Sequence, residues 1–391
     1  MAKIKHADRK HALLSASGAS RWINCTPSPR LEEQFEESAT SSFAAEGTLA
    51  HEFGDLALKS SIEVLSKKDS ARDLEILRKH PLYTDEMEEQ VHKYVSYVLE
   101  EFTAAKLKTI GALLLIEEKV DLTHFIEEGF GTNDAIVIAD GTMEVIDLKY
   151  GKGIRVDAED NSQLKLYGLG ALRAYELLYD IHTVKMTIHQ PRLDHISSAE
   201  ISAVDLNTWG EDIVKPKAKL AYAGEGEQIA GSWCQWCKVK ARCAALAGES
   251  LKMAKHDFKK PQLLTDKQLL EVYKQIPGFT GWASAVKDYI LAEAIAGKKW
   301  KGYKLVEGRS NRKWVDDVKV AAQLLKLKFA PEKFMVSKLG GITLIEKLVG
   351  KDKFQTILGS LVVKPQGAPT IAEESDKRPA MGIEQAKVDF K

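Results

Sequence analysis

The chain has 391 residues, 44% of them hydrophobic, and its 56 Lys+Arg balance 56 Asp+Glu. That length supports two domains or one elaborated one, with a substantial core. No uninterrupted apolar run reaches the ~20 residues of a membrane span, and the basic start, Met1-Ala2-Lys3-Ile4-Lys5-His6, lacks the apolar segment of a secretion signal, so a cytoplasmic protein is expected.

In chain order, a helix is expected from about 15–20 through Arg21-Trp22-Ile23, ended by Cys25 and the turn Thr26-Pro27-Ser28-Pro29. Helices follow at about 31–37, 43–59 and 85–107; the second of these carries an apolar stripe of Leu49, Phe53, Leu56 and Ala57. Strands are expected at 113–120, 135–139 and 143–149, then a helix at 160–179 and a strand at 184–190 stopped by Pro191. This order predicts an α/β layered domain in which helices flank a small sheet, followed by a mostly helical basic extension. Helical patterns recur near 264–275 and 281–296, a basic hairpin is expected at 300–314, and short helices reach about 360.

The zero net charge hides a division. Residues 1–250 carry a balance of −11 and residues 251–364 a balance of +12. We therefore expect a first domain over 1–250, a basic accessory domain over 251–364 suited to a polyanion, and a disordered Pro-, Gly- and charge-rich tail over 365–391.

Asp140-Gly141 is a two-residue hairpin signal between apolar strands. With those residues as the loop, Ala139 pairs with Thr142, and counting back places Asp134 opposite Asp147. Facing carboxylates about 5 Å apart at Cβ repel unless a cation sits between them. Lys149, two residues beyond Asp147, shares its face. A carboxylate pair for a divalent ion beside an ammonium suits phosphodiester hydrolysis: the ion acidifies water and screens the phosphate, and the ammonium meets developing charge. Oxygen ligands with one imidazole suit Mg²⁺ or Mn²⁺.

Four motifs occur in order: Gly47-Thr48-Leu49-Ala50-His51, Gly131-Thr132-Asn133-Asp134, Asp147-Leu148-Lys149 and Gln163-Leu164-Lys165-Leu166-Tyr167. Each alone is weak; together, on the expected helix, strand, strand and helix, they form a strong signal. Helical spacing sets His51 nearly opposite the Leu49/Phe53/Leu56 stripe, which argues against a merely packed histidine. Over about residues 12–245 the chain resembles the RecB-like branch of the PD-(D/E)XK nuclease superfamily, and it is similar to phage-encoded domains of that branch whose function is unassigned. The resemblance implies a restriction-endonuclease-like core, a mixed β-sheet flanked by helices, and a metal-dependent DNA exonuclease of phage or bacterial recombination, replication or repair. It implies that His51, Asp134, Asp147 and the Leu148 backbone carbonyl bind the metal, that Lys149 positions water and stabilises charge, and that Gln163 and Tyr167 support the site. The alternatives are a structure-selective endonuclease and a non-catalytic DNA-binding scaffold. DNA is the expected partner, with single-stranded-DNA-binding or recombination proteins beside it. No GxxxxGK[ST] motif is present, so the chain is not a P-loop motor.

The four cysteines are Cys25 and the group Cys234-x2-Cys237-x5-Cys243. Clustering of this kind in a cytoplasmic protein favours ligation over disulfides. The resemblance implies a [4Fe–4S] cluster stapling the start of the domain to its end; four thiolates also make a zinc site. Trp233 and Trp236 are expected to shield it.

In the basic region, Lys298, Lys299, Trp300 and Lys301 are followed by Arg309, Arg312, Lys313 and Trp314. Cations interleaved with aromatics suit single-stranded nucleic acid, although Trp314 reads better as core. His189-Gln190-Pro191-Arg192 ends a strand and is a further candidate for DNA contact.

Overall fold

The structure is a computed structural model that describes residues 12–35, 42–252, 265–308, 312–334, 341–365, 368–374, 376 and 378–382. It divides into two units, Met1–Trp282 and Ala283–Lys391.

The first unit opens with a 3-10 turn capped by Ser15, then α1 (Ala19–Asn24) and α2 (Ser28–Glu32). α3 (Ser42–Ser61) matches its expected span. α4 (Lys67–Leu77), capped by Ser66, was not foreseen, because few of its residues are apolar. α5 (Asp85–Lys108) is set by local chemistry: Thr84 caps it, acids fill its first turn, and Lys106 and Lys108 lie in its last.

The sheet contains β1 (Leu113–Asp121), β2 (Phe130–Ala139), β3 (Thr142–Leu148), β4 (Thr183–Gln190) and β5 (His195–Ser202), in that spatial order. All neighbours are antiparallel except β3 and β4. That parallel pair needs a crossover, supplied by α6 (Ser162–Tyr179). Asn161 caps α6, and Asp180 ends it in the left-handed conformation. The β2–β3 register runs from Ala139↔Thr142 to Ala135↔Ile146, as counted from the hairpin turn. Gly141 takes the positive φ of 79° that this turn needs. The mixed α/β architecture is therefore as expected.

Alternation along β2 feeds two cores. Ile136 and Ile138 pack with Leu164, Leu169 and Trp22 on the α6 side, while Ala135, Val137 and Ala139 pack with Leu49, Phe53 and Tyr94 on the α3–α5 side. The edge strand β5 was missed because its serines blur the pattern, although its exposure alternates strictly. α7 (Ala203–Trp209) and α8 (Lys215–Ala223) follow, then α9 (Ala244–Lys252). The first part of the domain is tied to this end: Arg30 Nε donates to the Tyr222 carbonyl (2.7 Å), and Lys238 N donates to Glu32 (2.8 Å).

α10 (Asp266–Ile295) is one helix where two were expected. Pro277 lies inside it: the lost backbone bond and ring clash disfavour a helix interior without forbidding it.

The second unit contains β6 (Tyr303–Glu307), β7 (Lys313–Trp314), α11 (Asp317–Lys326), α12 (Ile342–Val349), α13 (Lys351–Leu358), β8 (Val362–Val363) and β9 (Pro369–Glu373). The hairpin expected at 300–314 is replaced by two separate pairings, β6 with β9 and β7 with β8. Residues 369–373, expected in a disordered tail, are the strand β9, whose partner is more than 60 residues earlier and invisible to local composition. Val320, Leu324, Phe334, Ile345, Phe354 and Leu358 form the core of the small helices. Among the described residues, no helix is long and apolar enough to cross a membrane.

Candidate metal and catalytic site

The site lies at the ends of β2 and β3, between α3 and α6. α3 delivers His51, which shares its helix face with the buried Gly54 and Leu58; it does not lie opposite the core as its spacing suggested, because α3 is covered on more than one side. His51 Nδ1 is 3.0 Å from Asp134 Oδ1. The other Asp134 oxygen accepts the backbone N–H of Leu148 at 2.7 Å, so Leu148 is joined to the site by its amide.

Asp147 is 3% exposed. Its Oδ2 lies 2.7 Å from Lys149 Nζ, and its Oδ1 accepts from Gln163 Nε2 at 3.0 Å. Gln163 also receives Lys149 Nζ on its Oε1 at 3.1 Å, and its amide donates to the Tyr167 hydroxyl at 3.2 Å. One glutamine thus fixes both members of the ion pair. The Lys149 backbone N–H donates to the His189 carbonyl at 2.9 Å, which fastens the end of β3 to β4.

The electrostatics follow from crowding of acids. Burial opposes charge on His51, but the Asp134 carboxylate outweighs it and raises the imidazole to about 9. Burial, then the nearby charge of Asp134, lifts Asp147, and Lys149 opposes that rise. Burial would discharge Lys149, but Asp147 more than compensates and keeps it cationic.

Glu117 on β1 was missed. The β1–β2 register has Ile116 opposite Ala135 and Glu118 opposite Asn133, so Glu117 stands opposite Asp134. Ligand atoms of His51, Glu117 and Asp134 all lie within 4.8 Å of one another. Burial, then Asp134, raises the Glu117 carboxyl to about 7. No two-residue turn joins β1 to β2, so counting from a turn could not reveal this pairing.

All four cysteines line one pocket with Trp233, Val239 and Leu246. Among the described residues, no three of their sulfurs lie within 4.8 Å of one another. Cys234 Sγ accepts the Gly231 N–H at 3.4 Å. Trp233 lines the pocket, but Trp236 is 70% exposed and does not shield it.

The remaining candidates divide. His189 is buried, its ring 5.8 Å from Tyr94 and 5.4 Å from Tyr97 at the centroids. Gln190 is buried and holds the loop after β3 through Val156 N (2.8 Å) and Ile154 O (2.9 Å). Arg192 pairs with Glu46 at 3.1 Å. These residues shape the site from behind and do not offer a free DNA surface. Trp300 donates to the Ile290 carbonyl at 3.1 Å and packs against Ala294 and Leu305, so it is a core anchor. Lys298 pairs with Glu293, and Arg312 with Glu346, both at 3.1 Å. Lys299, Lys301 and Lys313 are exposed, and Arg309 lies outside the described residues. Trp314 packs beside Phe354, as expected.

Fold and site together define a mixed α/β protein with a buried acidic and cationic cluster at the strand ends. Over residues 11–379 the chain matches the model of the family described as "Protein of unknown function (DUF2800)", and it belongs to that family. Among solved structures it is similar to one titled "Crystal structure of SSO0001", at 15% identity over 58% of this chain and 96% of that chain, with a TM-score of 0.21, a likeness too slight to bear on function.

Proposed function

We propose that the protein is a divalent-metal-dependent DNA exonuclease of the RecB-like type, acting in the cytoplasm of a bacterium or of a phage-infected cell in recombination, replication or repair. One observation carries this reading: residues from all four motifs, 116 positions apart at the extremes, converge on one site, where Asp147, Lys149, Gln163 and Tyr167 form one hydrogen-bonded set and His51 pairs with Asp134, the two sets joined through the Leu148 amide.

The donor set fits Mg²⁺ or Mn²⁺, because the carboxylates are hard oxygen ligands and one imidazole suits manganese. His51 and Asp134, whose ligand atoms lie with that of Glu117 within 4.8 Å of one another, would hold the ion, and Asp147, now turned to Lys149 and Gln163, would join them. When bound, it supplies acidification of water and neutralisation of phosphate charge. Lys149, kept cationic by Asp147, places an ammonium beside the scissile phosphate and stabilises charge there; it is a poor proton acceptor in this setting. Gln163 holds that ammonium and the Asp147 carboxylate in fixed relation, and Tyr167 fixes Gln163. DNA itself, through its phosphates, would meet the exposed lysines of the basic region.

For the cysteine pocket we infer a [4Fe–4S] cluster in preference to zinc. A tetrahedral zinc site, with Zn–S of about 2.3 Å, needs sulfurs closer together than these, and the Gly231 N–H on Cys234 is the kind of contact that tunes a cluster sulfur.

The test is digestion of end-labelled single- and double-stranded DNA, linear against circular, with Mg²⁺ and with Mn²⁺. Loss of linear DNA with survival of circles is expected. Cut circles would favour the endonuclease alternative. Inactivity on every substrate with either metal, or full activity in both Asp147→Asn and Lys149→Ala, would overturn the reading.

A further inference from the structure

The five-stranded sheet has two edges, β1 and β5, and they are built differently. An exposed edge invites pairing with another chain, and proteins close such edges with charge, kinks or proline. The β1 edge is closed in this way. Glu117 sits at φ 52° and interrupts the ladder between Ile116 and Glu118, while Glu118, Lys119 and Asp121 add charge. The β5 edge has none of these devices. All eight residues of His195–Ser202 pair with β4 without a bulge. The strand holds no proline, lysine or arginine, its one acid is Glu200, and its one histidine is turned to Asp157 at 3.1 Å.

The register fixes which backbone groups face away from the sheet. Ala203 N donates to the His182 carbonyl at 2.8 Å, and this pair continues the register from Thr183↔Ser202. Alternation along an antiparallel ladder then turns the amides and carbonyls of Ala199 and Ile201 toward β4, and those of Ile196, Ser198 and Glu200 outward. Among the described residues nothing pairs with these outward groups. The core is open at the same place. Ala199 and Ile201 pack against the α6-side core yet are only half-buried, and Ile196, on the other face of the strand, is 51% exposed.

The geometry points to a second copy of this chain as the occupant of that edge: β5 pairs antiparallel with β5 of the other copy about a two-fold axis at Ala199, and the two five-stranded sheets join into one. A strand laid against its own copy in this way must be self-complementary, and β5 is. Ala199 meets Ala199, Ser198 meets Glu200, Ser197 meets Ile201 and Ile196 meets Ser202, so no like charges are opposed. An axis at Ser198 would instead set the Glu200 carboxylate against Ile196. Main-chain bonds from Ile196, Ser198 and Glu200 supply affinity. The open sides of Ala199 and Ile201 are covered, and each Ile196 comes to Ser202 of the other copy, two residues before Val204, which is 74% exposed. The axis is perpendicular to the sheet and reverses the strands, so the candidate sites at the ends of β3 lie at opposite ends of the joined sheet. The inference does not depend on the nuclease reading; under that reading, each chain of the dimer works on its own DNA end.

The experiment is sedimentation velocity of the full-length protein across the micromolar range, beside hydrogen exchange. The parent should sediment at twice the chain mass, and exchange across residues 195–202 should slow by about tenfold or more between dilute and concentrated protein. Ser198→Glu sets like charges face to face at both contacts between residues 198 and 200, and should weaken the dimer by about tenfold or more. Adding Glu200→Lys turns each contact into an opposite-charge pair and should restore the dimer, which a merely damaged fold would not do. A parent that stays monomeric overturns the inference. So does a Ser198→Glu chain that dimerises as tightly as the parent, which would place the interface elsewhere, and so does a double variant that stays monomeric, which would reject the register. A monomer whose β5 amides are nevertheless protected would mean that another segment of the same chain takes the edge, and overturns the inference as well. Ser198 Oγ lies 2.9 Å from Thr187 Oγ1; if losing that contact leaves Ser198→Glu unfolded, the mass of the parent and its concentration-dependent exchange decide alone.

Discussion

Gly131 and Tyr167 meet so closely that a Cβ on Gly131 would lie 2.7 Å from Tyr167 Cε1. The glycine that opens the second motif is therefore the seat of the tyrosine that closes the fourth. Gly131→Ala should push the Tyr167 ring, loosen its hold on Gln163, and cost about 1–3 kcal/mol of stability by overpacking. Cleavage should fall at least about tenfold, as expected when a positioning contact shifts by an ångström. Adding Tyr167→Leu should restore part of the lost stability without restoring activity. Thermal unfolding and cleavage rates of the three proteins check this; a single variant as stable and active as the parent would remove the link between the two motifs.

The Lys149–Asp147 ion pair leads to a sharper kinetic expectation. Lys149→Ala should lower the cleavage rate by about 10²–10³, the usual effect of deleting a group that stabilises transition-state charge. DNA affinity and Mn²⁺ binding should change little, since the carboxylates remain. Asp147→Asn should abolish both Mn²⁺ binding at that position and cleavage. Fluorescence anisotropy with labelled DNA, beside cleavage assays, separates binding from chemistry; a Lys149→Ala protein that loses DNA binding in proportion to activity would recast the lysine as a phosphate contact.

What the sequence made legible follows from where register can be counted. Asp140-Gly141 is a two-residue turn, so the pairs from Ala139↔Thr142 to Ala135↔Ile146 could be written down from the chain alone; Asp134 and Asp147 lie one step beyond the last of them, where Asp134 accepts the Leu148 N–H. Glu117 obeys the same logic across β1 and β2, but an irregular connection hides the register. His51 was found by its motif while its direction was misjudged, because spacing within α3 cannot say which neighbours cover which face. Trp300 shows the opposite error: a string of cations and aromatics looks like a nucleic-acid surface, yet the indole N–H is spent on Ile290 and the ring packs against Ala294 and Leu305. In the second unit, β9 pairs with a strand far upstream, a non-local contact that composition cannot register.

Cys25 and the Cys234–Cys243 group line the same pocket from opposite ends of the first unit. A cluster there would restrain a loop of about 210 residues, and stability gained by closing a loop grows with its length. Cys237→Ser should therefore lower the unfolding temperature and soluble yield, and Cys25→Ser should do so to a similar degree, because each would remove one of the four proposed ligands. Cleavage per folded molecule should be nearly unchanged. Anaerobically purified parent protein should absorb in the visible blue and contain iron; colourless protein containing zinc would replace the cluster with a zinc site, and metal-free protein of full stability would discard ligation altogether.

His189 supplies a pH-dependent expectation away from the reacting groups. Burial, with a smaller contribution from the Lys93 charge, pushes its imidazole down from 6.5 to about 4. Its Nδ1 is buried without a hydrogen-bond partner among the described residues, and its ring lies beside those of Tyr94 and Tyr97. The folded protein thus keeps His189 neutral at pH values where the unfolded chain protonates it. Above pH 6.5 both states are neutral and there is no penalty. As pH falls through 6.5 toward 4 the unfolded state gains protons that the folded state refuses, so stability drops by about 3 kcal/mol across that window. His189→Phe retains an aromatic ring between the two tyrosines and cannot protonate. Denaturant unfolding of parent and variant at pH 7.5, 5.5 and 4 should therefore show the parent losing about 3 kcal/mol more than the variant. Parallel profiles would mean that water reaches His189 and that the wall behind Lys149 is wetter than its packing implies.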